Sequence, residues 1–167
     1  MKKTLIAVMV LIGAFIFSVS CSNRAQEEEE YKIKAEGIGE AIVSQAKGCV
    51  SQSKAYRTAW EYAKVTEMDF DAAVKEILSG DMEANKQMML ENKARIDKML
   101  EGLEGPPEKY EEAHKKLKEL YEVYIKLHKL ALKPMKDIEK HEASVNGLVS
   151  QILKKKMDLD AVLEFSY

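Results

Sequence analysis

From Tyr31 to about Thr66 no proline interrupts the chain, and Ile38, Ile42, Gln45, Cys49, Gln52, Tyr56, Ala59 and Ala63 recur at spacings of three and four. Those spacings bring side chains back to one side of a 3.6-residue turn, so the segment reads as one long helix with a seam to bury. A lone helix cannot cover its own seam, and the rest of the chain must supply other helices. Gly37, Gly39 and Gly48 each cost about 1 kcal/mol relative to alanine in a helix, which makes Glu36-Gly37-Ile38-Gly39 the expected place for fraying or a kink.

Thr66 and Asp69 are capping candidates for a short helix with Phe70, Val74, Ile77 and Leu78, which Ser79-Gly80 stops before Asp81 opens another. The next helix runs from about Met82 to Leu103, with Met82, Asn85, Met89, Asn92, Ile96, Met99 and Leu103 on one seam. Pro106-Pro107 forces an extended turn, and Pro107 suits the first position of a helix, where its missing N–H would be unsatisfied in any case. The third long helix buries Tyr110, Ala113, Leu117, Leu120, Tyr121, Tyr124, Leu127 and Ala131, and Pro134 ends it. The last starts near Met135 to Asp137 with Ile138, Val145, Leu148, Val149, Ile152, Leu159, Val162 and Leu163, and Lys154-Lys155-Lys156 lies in its later part, where positive charge suits the negative dipole end. No segment reads as a strand. The fold class is therefore all-α: an antiparallel four-helix up-down bundle over residues 31–167, with a short extra helix between the first and second long helices.

Ahead of the bundle, Met1-Lys2-Lys3 is a short basic start, Leu5 to Phe17 is almost unbroken apolar sequence, and Ser18-Val19-Ser20-Cys21 follows. This is the pattern of an export signal over residues 1–20, removed from the mature protein. Removal leaves 147 residues with 24 basic and 28 acidic groups, a net charge of −4. A domain of that size takes roughly two thirds of its unfolded surface out of water and needs no staples. Its acidic balance argues against nucleic acid as a partner. The other apolar segments are amphipathic, so no second membrane span is expected. Two cysteines, Cys21 and Cys49, cannot make a disulfide-rich framework. Residues 21–30 are polar and end in Glu27-Glu28-Glu29-Glu30, which reads as a tether followed by a helix start suited to the positive end of a dipole.

Small side chains at Ser18 and Ser20 fit a peptidase cleft, and a cysteine that becomes the new N-terminus can carry a diacylglyceryl group. The segment resembles the lipobox of bacterial lipoproteins, with Ser18 standing where that family usually has leucine. The resemblance implies lipidation of Cys21 and an extracytoplasmic protein anchored to the bacterial cell membrane. It implies the outer membrane where the host has one, because Ser22 is not the aspartate that often retains lipoproteins at the inner one. Two or three acyl tails, at ~0.8 kcal/mol per buried methylene, are ample for stable anchoring. The alternative is cleavage of the same bond by an ordinary signal peptidase, which releases a soluble protein and leaves Cys21 free to pair with Cys49. Residues 106–113, continuing through Leu117, Leu120, Tyr121, Tyr124 and Leu127, also resemble the third helix of small bacterial helical-bundle lipoproteins. That likeness implies fold and location and brings no activity with it.

Several constellations bear on chemistry. Glu111-x-x-His114 has the spacing of carboxylate-bridged di-iron bundles, but Ile125 and Ile138 stand where His128 and His141 would need a matching glutamate. Asp137 and His141 have an i, i+4 spacing that could clasp a divalent ion, although histidines on charged helices are expected to be solvated or capping groups. Met82, Met88, Met89 and Met99 with Cys49 offer soft sulfur for Cu(I), against the reading of methionine as adaptable core filler and of Cys49 as a buried, inert thiol. The seam amides Gln45, Gln52, Asn85 and Asn92 either set helix register or line a polar cavity with Tyr56, Tyr121 and Tyr124. No nucleophile elbow, phosphate-cradling glycine loop or His-Glu-x-x-His motif occurs. The expectation is a non-catalytic protein with no cofactor, which has an interaction or scaffold role toward an envelope protein or the cell wall. The alternative is a small-ligand or metal carrier that uses the bundle interior.

Overall fold

The computed structural model describes residues 2–78 and 81–165, with side chains described for 24–77 and 83–165. The side chains of the expected lipidation site Cys21, of Ser18 and Ser20 before it and of Met82, together with the Ser79-Gly80 stop, therefore lie outside what is described. The protein is all-α, with five packed helices: α1 (Lys2–Thr66), α2 (Phe70–Leu78), α3 (Asp81–Glu101), α4 (Glu111–Leu132) and α5 (Ile138–Phe165). Among the described residues there is no strand, and no helix is long and apolar enough to cross a membrane.

Local chemistry sets most of the boundaries. Glu67 adopts a left-handed φ of 56° and turns the chain at the end of α1, while the Met68 N–H reaches back to the Ala63 carbonyl at 3.1 Å. Asp69 then caps α2, its Oδ1 accepting from the N–H groups of Asp71 and Ala72. Gly105 takes φ 77°, a conformation that glycine adopts without strain, and the turn continues into Pro106-Pro107. A 3-10 turn, Glu108–Tyr110, intervenes before α4, so Pro107 precedes that turn and is not the first residue of the long helix. Asp137 caps α5 by accepting from the Lys140 N–H at 3.1 Å.

Pairs of contacts fix the helix directions. Tyr31 stacks on Tyr110, and Tyr56 donates to the Ala131 carbonyl, so α1 and α4 run the same way. Gly39 lies against Lys156 and Arg57 pairs with Glu142, so α5 runs opposite to α1. Glu104, just beyond α3, meets Lys118, and the Met89 carbonyl meets His128, so α3 runs opposite to α4. The α4–α5 pairing is the most extensive, and α1 packs on all four other helices. The interior is one apolar cluster that includes Ile38, Ile42, Leu117, Leu120, Leu127, Ile152 and Leu159, each at most 1% exposed. Each such side chain contributes about 1.5–3 kcal/mol through burial.

Four expectations are corrected. α1 is already helical through Glu27–Glu30, so the acidic run does not begin a helix; Glu28 pairs with Lys109 at 3.4 Å. The glycines at 37 and 39 neither break nor fray α1; at Gly39 an added Cβ would lie 2.8 Å from Lys156 Cε. The Lys154–Lys156 run lies in the later part of α5 but does not serve its dipole end, because the last turn holds no basic residue. Lys156 is instead buried, and its ammonium lies 2.8 Å from Glu40 and 2.6 Å from Asp160. On α3, Asn85 and Met99 are exposed, because the face that meets α1 and α4 centres on Met89, Asn92 and Ile96, with Leu103 buried just beyond the helix end.

Candidate functional site

The helix faces bring polar side chains into the interior. Gln45 and Asn92 pair across α1 and α3 at 3.1 Å, joining two of the seam amides in a half-buried hydrogen bond. All three histidines are buried, contrary to the expectation of solvated or capping groups. His114 shares a 3.0 Å hydrogen bond with the Tyr31 hydroxyl, and His128 donates from Nε2 to the Met89 carbonyl at 3.2 Å. His141 accepts the Met135 N–H at 3.4 Å on Nδ1, stands edge-on to Tyr56, and leaves Nε2 buried without a partner. Burial pushes all three imidazoles below their usual range, with Lys118 adding to the effect at His114 and Lys93 at His128. They are neutral at physiological pH.

Cys49, Gln52 and Tyr124 are buried as well. Burial pushes the Cys49 thiol up to about 12 and the Tyr31 phenol likewise to about 12, so neither ionises at neutral pH. Tyr124 is also raised by burial, and its hydroxyl has no hydrogen-bond partner. Both amide atoms of Gln52 are buried without one as well. The Tyr56 hydroxyl lies close enough for the Gln52 amide to influence it, but the geometry falls outside that of a hydrogen bond.

On the α3–α4 side, Tyr121 donates to Asp97, which also accepts from Lys93 at 2.6 Å. Burial alone would raise the Asp97 carboxyl; the Lys93 ammonium and the Tyr121 hydroxyl outweigh it and hold the group low.

The metal candidates do not assemble. Glu111 is exposed while His114 faces Tyr31, so the Glu-x-x-His pair does not converge. Asp137 is used as a helix cap and His141 points at Tyr56. Met89 is buried, but Met88 and Met99 face outward, which separates the sulfurs proposed around Cys49. Among the described residues, no group of three or more His, Cys, Asp or Glu is placed to hold a metal ion.

The outer surface offers a different kind of site. Between α1 and α5 lies a cleft of about 380 Å³ lined by Val43, Ala46 and Val50 from α1 and by Val149, Ile152 and Leu153 from α5. Lys47, Ser51 and Lys54 complete the α1 side, and no carboxylate lines it. Apolar surface continues outward along α5, where Leu153 is 50% and Met157 71% exposed. A second apolar cleft of about 430 Å³ lies between α1 and α3 beside Ile33 and Met99. The signal for the first cleft is a second apolar stripe on α1, Val43, Ala46 and Val50, alongside the seam already described. Compared with protein-family models, with curated proteins and with solved structures, the chain matches none.

Proposed function

We propose that this chain is a bacterial envelope lipoprotein, held extracytoplasmically by acyl chains on Cys21, that works without catalysis by binding an envelope component on its outer surface. The run from a basic start through an apolar core to Ser18-Val19-Ser20-Cys21 supports the anchor. Helices α1 and α4 running one way, with α3 and α5 the other, support an antiparallel up-down four-helix bundle in which α2 is the short extra helix. The observation that carries the binding role is the apolar cleft between α1 and α5, left open beside the exposed Leu153 and Met157. A photo-crosslinking residue at position 153, tested in native membranes against one at the exposed Lys126 of α4, should give a saturable adduct with an envelope component only at 153. Equal adducts at both positions, or none at either, would refute the surface role.

A second reading, a small polar ligand held in the interior, draws on the Gln52 amide and Tyr124 hydroxyl, buried without partners. Native mass spectrometry showing no mass lost on denaturation would remove it.

A further inference from the structure

We propose that the α1–α5 cleft binds a fatty carboxylate, its chain on Val43, Val50, Val149 and Leu153 and its head between Lys47 and Lys54. This rests on the reading of the outer cleft as the working surface and names its occupant.

Size comes first. At about 380 Å³ the cleft sits near the lower end of small-molecule sites, which span about 300–1,000 Å³. From Val43 to Lys54 it runs about 16 Å along α1, at ~1.5 Å per residue. This is a slot for one acyl chain. A partner helix, about 10 Å across with its side chains, needs a wider trough and successive anchor pockets. A two-chain phospholipid would leave one chain in water.

Charge then selects the head. The lining holds two ammonium groups and one hydroxyl and no acidic group, on a chain whose formal net charge is −2. Lys47, Ser51 and Lys54 follow one another at i, i+4 and i+7, so they share a helix face. Neither lysine closes an ion pair among the described residues. The Lys47 charge helps to hold the Glu40 carboxyl low, but that carboxylate is already taken by Lys156 at 2.8 Å. A carboxylate near Ser51 is within reach of both flexible lysine stems, and the stems themselves lie over apolar surface and cover the chain. On the opposite rim Leu153 supplies only apolar surface, so a neutral head gains nothing that an anionic one lacks.

The test uses the full chain in zwitterionic nanodiscs with dodecanoate bearing a diazirine near its tail, irradiated and mapped by peptide mass spectrometry. The expected result is saturable labelling confined to residues 43–54 and 149–153, competed by unmodified dodecanoate, and at least tenfold weaker with the corresponding alcohol. Lengthening the competitor by two methylenes should tighten it by up to about 15-fold. The double variant Lys47→Glu/Lys54→Glu and, separately, Leu153→Asp should each lose the labelling at least tenfold with unchanged helix content, since all three side chains lie at the surface. Diffuse labelling, or equal labelling by the alcohol, overturns the proposal. A polypeptide captured by the crosslinker at 153 while dodecanoate leaves the cleft unlabelled overturns the ligand and leaves the outer-surface reading standing. No adduct of either kind at the cleft refutes both.

Discussion

Lowering the pH from 7.5 to 5.5 should weaken the fold through its three imidazoles, and the size of the effect follows from their burial. His114, His128 and His141 are 8%, 3% and 0% exposed, and each is held below the ordinary value of 6.5 that it regains on unfolding. The unfolded chain therefore takes up protons below pH 6.5 that the folded chain refuses. Stability is complete above that pH and is lost as the pH falls toward the folded-state values. Over this interval each histidine that stays neutral in the fold costs about 1.4 kcal/mol, so three cost at most ~4 kcal/mol. Glu104 beside His114 and Glu142 beside His141 favour the protonated rings, so the expected loss lies below that ceiling of ~4 kcal/mol. Against a total of about 5–15 kcal/mol this is a large fraction. The carboxylates held low by partners, Glu40, Asp97, Glu119 and Asp137, start from 3.8 to 4.5 when free, so their losses fall in a lower pH window. Urea unfolding followed by helical circular dichroism at both pH values measures the difference. His128→Gln, which can still donate to the Met89 carbonyl, should flatten the pH dependence by about one proton. A stability that does not fall over the interval, or that rises, would refute the placement of the three rings.

Other substitutions probe single contacts. Gly48→Ala meets nothing within 4 Å and should stabilise the fold by ~1 kcal/mol, whereas Gly39→Ala should gain nothing or lose stability, because its Cβ displaces Lys156 from Glu40 and Asp160; thermal melts of the pair make the comparison. Glu67→Gly removes the strain of a left-handed non-glycine residue and should raise stability by ~1 kcal/mol in denaturant titration. Gln52→Leu replaces an amide with no partner by apolar volume and should be neutral or stabilising by up to ~2 kcal/mol; a clear loss would mean that the amide is satisfied by a bound molecule.

The helices themselves were legible because their seams are periodic and their ends are marked by Asp69, Pro134 and Asp137. What sequence reading missed was the width of the buried stripes. On α1 the seam from Ile38 to Ala63 was plain, but this helix packs against all the others, so Tyr31, Ala35, Ala46 and Ser53 are buried too. On α5 the apolar residues leave gaps between Ile138 and Val145 and between Ile152 and Leu159, and the three-four spacing fills those gaps with His141 and Lys156. Hydrophobicity alone puts such residues outside; Tyr56 and the Glu40–Asp160 pair make their burial tolerable. His114 and His128 follow Tyr110 and Tyr124 by one turn, a position that marks them as interior once the aromatic face is known. The amides divided: Gln45 and Asn92 found each other across α1 and α3, Gln52 is buried alone, and Asn85 is exposed. The outer cleft was half legible: Val43, Ala46 and Val50 form a second apolar stripe on α1, but spacing within one helix does not tell that α5 stands beside it there.

The most direct test of an anchored envelope protein is the intact mass of the protein purified from its own membranes. The expected mass is that of a chain beginning at Cys21 with a diacylglyceryl group and one further acyl chain or a free amine, and Cys21→Ser should move the protein out of the membrane fraction. A chain beginning at an unmodified Cys21, or one that still carries residues 1–20, would contradict the account.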